Sequence, residues 1–196
     1  MSEVNSLLRD LEKHHLWSKL FDSRTLFLSG GVNSHIAEKI TQSLYVMNNT
    51  CHDPIKLIIN SPGGEVSSGL SIYDTIRFID SDVWVLNSGL CASIATIINC
   101  AVDKKNRFSL PHTKFLIHQP LIMGYIQGQA SDIEIYAEDI LQSRDLLNSI
   151  LADACGQSKK KIEQDTLRDY WMNAQEAKDY GLVSQIIQSE GEFKLN

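Results

Sequence analysis

Val83-Trp-Val-Leu-Asn-Ser-Gly-Leu-Cys-Ala-Ser-Ile-Ala-Thr-Ile-Ile-Asn-Cys-Ala101 is the stretch from which the fold can be read. Val83 to Leu86 form a short apolar run of strand length, punctuated by Ser88-Gly89. From about Ala92 to Ala101 the sequence reads as a helix. Ser93 therefore falls just after a strand and at the start of a helix. The first N–H groups of a helix have no internal acceptor, and the helix dipole adds positive potential, so a developing oxyanion is favoured there. Taken alone, the position is more often that of an N-cap or N1 serine. It is not a Gly-x-Ser-x-Gly elbow, because Cys91 and Ala95 stand where the glycines would be. Cys91 is a rival nucleophile, but its neighbours are apolar and no nearby cation would lower its pKa.

Upstream, the same unit repeats. Thr25-Leu-Phe-Leu28 reads as a strand ended by Gly30-Gly31, and residues 34–48 place Ile36, Ile40, Leu44 and Met47 on one helical face. Ile55-Lys-Leu-Ile-Ile59 is a strand broken by Ser61-Pro-Gly-Gly64, followed by a helix with Val66, Leu70, Tyr73 and Ile76 near one face. Strand, turn and helix in alternation predict α/β architecture with crossover connections. Before them, Leu7, Leu8, Leu11 and Leu20 form a helical pattern. After them come strand-like runs at Arg107-Phe-Ser-Leu110 and Lys114-Phe-Leu-Ile117, and a Gly-containing extended stretch at Met123–Gln129. One long amphipathic helix then runs over 131–154, opened by Ser131-Asp132. No linker, repeat or low-complexity tract interrupts the 196 residues, which are expected to form one domain.

The net charge of −6, from 18 Lys+Arg against 24 Asp+Glu, argues against nucleic acid or an anionic membrane as partner. The N-terminal MSEVNSLLRDLEKHH lacks an apolar signal core, and no apolar run reaches the length of a membrane span, so a cytoplasmic location is expected. Cys51, Cys91, Cys100 and Cys155 form no CxxC pair and have no zinc-ligand spacing, which suits a reducing compartment. No metal is implied by His14-His15 or Cys51-His52-Asp53, since no third ligand has sensible spacing.

Activating a serine requires a base. Of six histidines, only His118 ends a strongly apolar strand, in Phe115-Leu-Ile-His-Gln-Pro120. It also reads as a histidine packed at the rim of the core. A carboxylate must then orient the imidazole. Asp169 abuts two aromatics, Tyr170 and Trp171, which predicts partial burial, whereas Asp165 shares a charged helical face with Lys159, Lys160 and Lys161 and is expected to be solvated. The paired glycines of Asn60-Ser-Pro-Gly-Gly64 leave N–H groups uncovered, and Gly64 with Ile94 would supply two oxyanion donors. A tight turn without a ligand accounts for the same dipeptides.

Six motifs together resemble one family. Asn60-Ser-Pro-Gly-Gly64, Gly89-x-x-Ala-Ser93, Ile117-His-Gln-Pro120, Gly128-Gln-Ala-Ser-Asp-Ile-Glu134, Arg168-Asp169 and Glu176-Ala-x-x-Tyr-Gly-Leu-Val183 stand in the order of ClpP, the proteolytic subunit of the caseinolytic serine protease. The resemblance runs from about residue 17 to 187. It implies Ser93 as nucleophile, His118 as base, Asp169 as acid, and Gly64 and Ile94 as oxyanion donors. It also implies a ClpP/crotonase-like α/β fold of repeated strand–strand–helix units, with residues 121–154 as a protruding handle. Two stacked heptameric rings forming a tetradecamer follow from it, with Arg168 at the ring contacts. An AAA+ unfoldase such as ClpX, ClpC or ClpA would use the ATP and feed unfolded polypeptides to a subunit that itself needs no cofactor. Residues 1–16 depart from the family's axial loop, and Leu121–Gln127 runs longer than the usual pattern. Both departures fit a divergent paralogue that pairs with a second ClpP subunit. A crotonase-type acyl-CoA hydratase and a non-enzymatic ring subunit are the alternatives, and neither would need Ser93 with His118.

Overall fold

The computed structural model describes residues 15–121 and 128–193. Leu7, Leu8, Leu11, His14 and the stretch 122–127, including most of the extended segment expected at Met123–Gln129, lie outside the described residues. Residues 15–22 are helical, consistent with the pattern that includes Leu20.

Three parallel strands form the frame: β1 (Thr25–Ser29), β2 (Ile55–Ser61) and β3 (Val83–Ala92). Their crossovers are α1 (Ser34–Thr50) and α2 (Val66–Phe78). Helix α1 begins where Asn33 Oδ1 accepts from the Ile36 N–H. Ala37, Ile40, Leu44 and Met47 form its buried stripe. Every second residue of β2 from Ile55 to Ile59 is buried, and together with the helical stripes they form one apolar core.

Strand β3 is longer than the sequence suggested. Ser88-Gly89 reads as a stop, yet the strand continues to Ala92. Gly89 takes φ +81°, and a Cβ there would lie 3.0 Å from Asn60 Oδ1, so the chain bends at a residue without a side chain and resumes pairing. The bend splits the sheet. Val85–Asn87 pairs in parallel with β4 (Arg107–Ser109), whereas Leu90–Ala92 pairs in parallel with β5 (Lys114–Ile117). Helix α3 (Ile94–Asn99) follows β3 and is shorter than the expected Ala92–Ala101 because Ala92 still belongs to the strand.

The long helix α4 (Ala130–Cys155) has 26 residues, about 39 Å at 1.5 Å per residue, and ends at Gly156 with φ +67°. Its halves differ. Leu147, Leu151 and Cys155 are buried, while Ile133, Ile135, Tyr136 and Leu141 are exposed. The apolar face expected over the whole helix is therefore covered by this chain only in its C-terminal half. Helix α5 (Lys159–Asp165) leads to β6 (Tyr170–Asn173), which pairs antiparallel with β5. Helix α6 (Ala174–Tyr180), opened by an Asn173/Glu176 capping box, and β7 (Gln185–Ile186) against β4 complete the sheet. None of the described helices is long and apolar enough to cross a membrane.

Candidate active site

Ser93 occupies the joint between β3 and α3 with φ +57° and ψ −128°. A non-glycine residue in this region stores on the order of 1–3 kcal/mol of strain and must be held from several sides. Its N–H donates to Leu116 O at 2.9 Å, and its carbonyl accepts from the Thr96 N–H and hydroxyl. Helix α3 is buried along its whole length and anchored by Asn99, which accepts from Asn87 Nδ2 at 2.8 Å and donates to Leu182 O at 2.9 Å. The Ser93 side chain makes no capping bond. Ser93 thus holds the N-cap position that the sequence suggested, but at a tight strand-to-helix joint where its hydroxyl is not spent on the helix end. No Gly-x-Ser-x-Gly pattern announces it.

His118 directly follows β5. The register Ile117↔Tyr170 carried one step further sets His118 against Asp169. Beyond that point the pairing is replaced by Gln119, whose N–H donates to Thr166 O at 2.8 Å and whose amide donates to Leu167 O at 3.1 Å. The two segments are therefore fixed on both sides of the pair. His118 Nε2 lies 2.8 Å from Ser93 Oγ, and His118 Nδ1 lies 3.1 Å from Asp169 Oδ1. A neutral imidazole protonated on Nδ1 satisfies both contacts, donating to the carboxylate and accepting from the hydroxyl.

The two carboxylates differ from the sequence expectation. Asp169 is exposed, at 61%: Trp171 lies open on the edge strand, and the Tyr170 ring packs on Tyr180 rather than over the carboxylate. Asp165 is the sheltered one. It accepts from Tyr180 Oη at 2.7 Å and pairs with Lys161, which also sits over the Tyr180 ring. Burial and the neighbouring Asp165 push the Tyr180 hydroxyl well above the ordinary phenol range. This cluster braces α5 against α6, and Asp165 does not join His118.

The turn after β2 lies against the same joint. Gly63 has φ +87°, and a Cβ there would come within 2.7 Å of Ser93 Cβ and 3.1 Å of the Ile94 nitrogen. Gly64 bridges Val32 in parallel, but that bridge uses Gly63 O and the Glu65 N–H, leaving the Gly64 N–H turned the other way. Ile94, the first residue of α3, likewise has no acceptor for its N–H within the helix. Cys91 is fully buried, and burial holds its thiol well above the ordinary range, which removes it as the rival nucleophile.

A narrow cavity of about 20 Å³ adjoins Ser93, walled by Val66, Ile97, Pro120, Leu147 and Leu151. An open cleft of about 430 Å³ lies on the far side of His118, and Leu121, Leu167 and the exposed Arg168 line it. The larger cavity of about 550 Å³, between α2 and the end of α4, contains neither Ser93 nor His118. Cys100 and Cys155, both free and buried, stand in its wall.

A hydroxyl, an imidazole and a carboxylate linked in this order, beside uncovered backbone N–H groups on a strand-to-helix joint, is the arrangement of a serine hydrolase on an α/β scaffold. The family model described as Clp protease matches residues 9–190. The ATP-dependent Clp protease proteolytic subunit 2 of Pseudomonas aeruginosa is 48% identical over 172 residues, covering 88% of this chain and 85% of that protein. The subunit 3 of Rhizobium johnstonii is 45% identical over 176 residues, covering 90% of each chain. A point mutant of ClpP1 from Listeria monocytogenes superposes with a TM-score of 0.84 at 41% identity, covering 91% of this chain and 99% of that one. The chain therefore belongs to the Clp protease family, as a serine-type peptidase of the ClpP fold. The numbered names of these relatives accord with the paralogue expected from the sequence.

Proposed function

We propose that this chain is a ClpP-type serine endopeptidase subunit in which Ser93, His118 and Asp169 carry the chemistry. The observation behind the reading is the continuous contact from Ser93 Oγ through His118 to Asp169 at 2.8 and 3.1 Å. His118 Nε2 takes the hydroxyl proton as Oγ attacks the scissile carbonyl carbon. The carbonyl oxygen becomes an oxyanion between the N–H groups of Gly64 and Ile94. Asp169 keeps the Nδ1–H tautomer and stabilises the imidazolium, which then gives its proton to the leaving amine. Water repeats the sequence on the acyl-enzyme and frees the carboxylic acid and Ser93. The small apolar cavity beside Ser93 would receive the side chain preceding the scissile bond.

The same reading extends to assembly. The exposed apolar residues of α4 offer a surface that a single chain leaves uncovered, and stacked heptameric rings would cover it. Arg168, exposed and beside Asp169, would contribute to the ring–ring contact. A second ClpP paralogue is the expected pairing partner and an AAA+ unfoldase the expected source of unfolded substrate. ATP would be consumed by the unfoldase, so the subunit would need neither cofactor nor metal. The location proposed is the cytoplasm.

The test is hydrolysis of a fluorogenic peptide by the pure protein, alone and mixed with a second ClpP subunit, against the Ser93→Ala protein in each mixture. Activity lost only with the Ser93 hydroxyl supports the reading. Hydrolysis that survives in every Ser93→Ala mixture at the wild-type rate contradicts it.

A further inference from the structure

The turn that carries Gly64 is tied down by a side chain with no place in the mechanism so far. Ser61, the last residue of β2, is completely buried. Its hydroxyl donates to Gly30 O at 2.6 Å and accepts from the Gly63 N–H at 3.1 Å. One donor and one acceptor are thus both used, and they join the loop after β1 to the turn after β2. The same two segments meet again at Val32, whose N–H donates to Gly63 O at 2.8 Å and whose carbonyl accepts from the Glu65 N–H at 2.9 Å. Gly64 lies between these ties, with φ +154° and no room for a Cβ, which would fall 2.1 Å from Val32 O. Its peptide plane has little freedom while both ties hold.

The strand register brings Ser61 to the level of the nucleophile. Pairing between β2 and β3 shifts after Ile59, and Ser61 then pairs with Cys91, two positions before Ser93. In the irregular step, Asn60 Oδ1 accepts from the Leu90 N–H at 3.2 Å. The turn is thereby fixed to the strand that ends in Ser93 as well as to the loop after β1.

We infer that Ser61 is a positioning residue: its hydroxyl sets the direction of the Gly64 N–H toward the oxyanion. The inference rests on the Ser93 reading above and deepens it. An oxyanion donor acts only when aimed at the place where charge develops, and loss of one donor lowers kcat roughly 10²–10³-fold. Loss of its support moves the donor without removing it and is expected to lower kcat roughly 10–100-fold. A hydroxyl that merely satisfied a buried turn would instead change stability and leave kcat alone.

The test compares wild type, Ser61→Ala and Ser61→Cys. The thiol of the second variant keeps a weak donor and acceptor should the alanine protein fold poorly. Kinetics with a fluorogenic peptide and the inhibition constant of a peptide boronic acid, whose tetrahedral adduct uses the oxyanion donors, are measured together with amide hydrogen exchange over 61–65. The expected result is a fall in kcat of at least about tenfold, with KM changed by less than about threefold, and a parallel rise in the boronate constant. Exchange at 61–65 should quicken while β1 and β3 stay protected, and the cysteine protein should fall between the other two. Unchanged kcat, a loss confined to KM, or a kcat loss without weaker boronate binding overturns the inference. Unchanged exchange overturns it even if the wild-type chain hydrolyses nothing, in which case the Ser93 reading fails separately.

Discussion

The Asp169 carboxylate meets His118 Nδ1 at 3.1 Å from a position 61% open to solvent, whereas the imidazole it faces is only 15% exposed. One end of the pair is fixed by packing and by the register of β5 with β6. The other is held by the backbone of an edge strand and by the imidazole itself. So exposed a contact is screened and adds little to stability; in the proposed triad Asp169 would act through the tautomer it selects.

Asp169→Asn should leave the fold intact and lower kcat roughly 10²–10⁴-fold, the upper figure being that of a buried triad acid. The amide can donate to Nδ1 and so favour the Nε2–H tautomer, which cannot accept the Ser93 proton. Steady-state peptide hydrolysis and a circular dichroism melt on the same protein check this. Activity within threefold of wild type would remove Asp169 from the mechanism.

Thiol chemistry separates Cys51 from Cys91. Cys91 is completely buried, and burial raises its thiol, while Cys51 is exposed. Iodoacetamide under native conditions should modify Cys51 within minutes and leave Cys91 unmodified until the protein is denatured. Peptide mapping by mass spectrometry reads both. Cys91→Ala should retain more than half of the peptidase activity, and rapid native alkylation of Cys91 with loss of activity would restore it as a nucleophile.

The arrangement at α4 and Arg168 predicts that catalysis depends on assembly. Ile135, Tyr136 and Leu141 are exposed on the N-terminal half of α4, and Arg168 is adjacent to Asp169. Arg168→Ala should shift the particle toward single rings or smaller species and lower peptidase activity in parallel. Sedimentation velocity and hydrolysis on one sample decide it. A surface ion pair alone is worth roughly 0–1 kcal/mol and would leave both unchanged.

Much of this was legible in the sequence because it rests on local patterns. The apolar runs at Thr25–Leu28, Ile55–Ile59 and Lys114–Ile117 became strands, and the stripe Ile40, Leu44, Met47 became the buried face of α1. The strand-to-helix position of Ser93 and the strand-end position of His118 were visible for the same reason. What escaped depends on contacts across the chain. Gly89 looked like a terminator because its role is to let β3 pass Asn60. The exposure of Asp169 and shelter of Asp165 were inverted because neighbouring aromatics in sequence say nothing of which side of an edge strand is covered. The strain at Ser93 had no local sequence signal, since the glycine that makes room beside it is Gly63, in the turn after β2.

If Ser93 is the nucleophile and His118 activates it, a fluorophosphonate applied to the native protein, followed by peptide mapping, should leave a single phosphonyl adduct on Ser93. Ser93→Ala protein should carry none, and labelling of His118→Ala should be at least about a thousandfold slower. An adduct on another serine, or full peptide hydrolysis by a preparation whose Ser93 stays unlabelled, would contradict that role for Ser93.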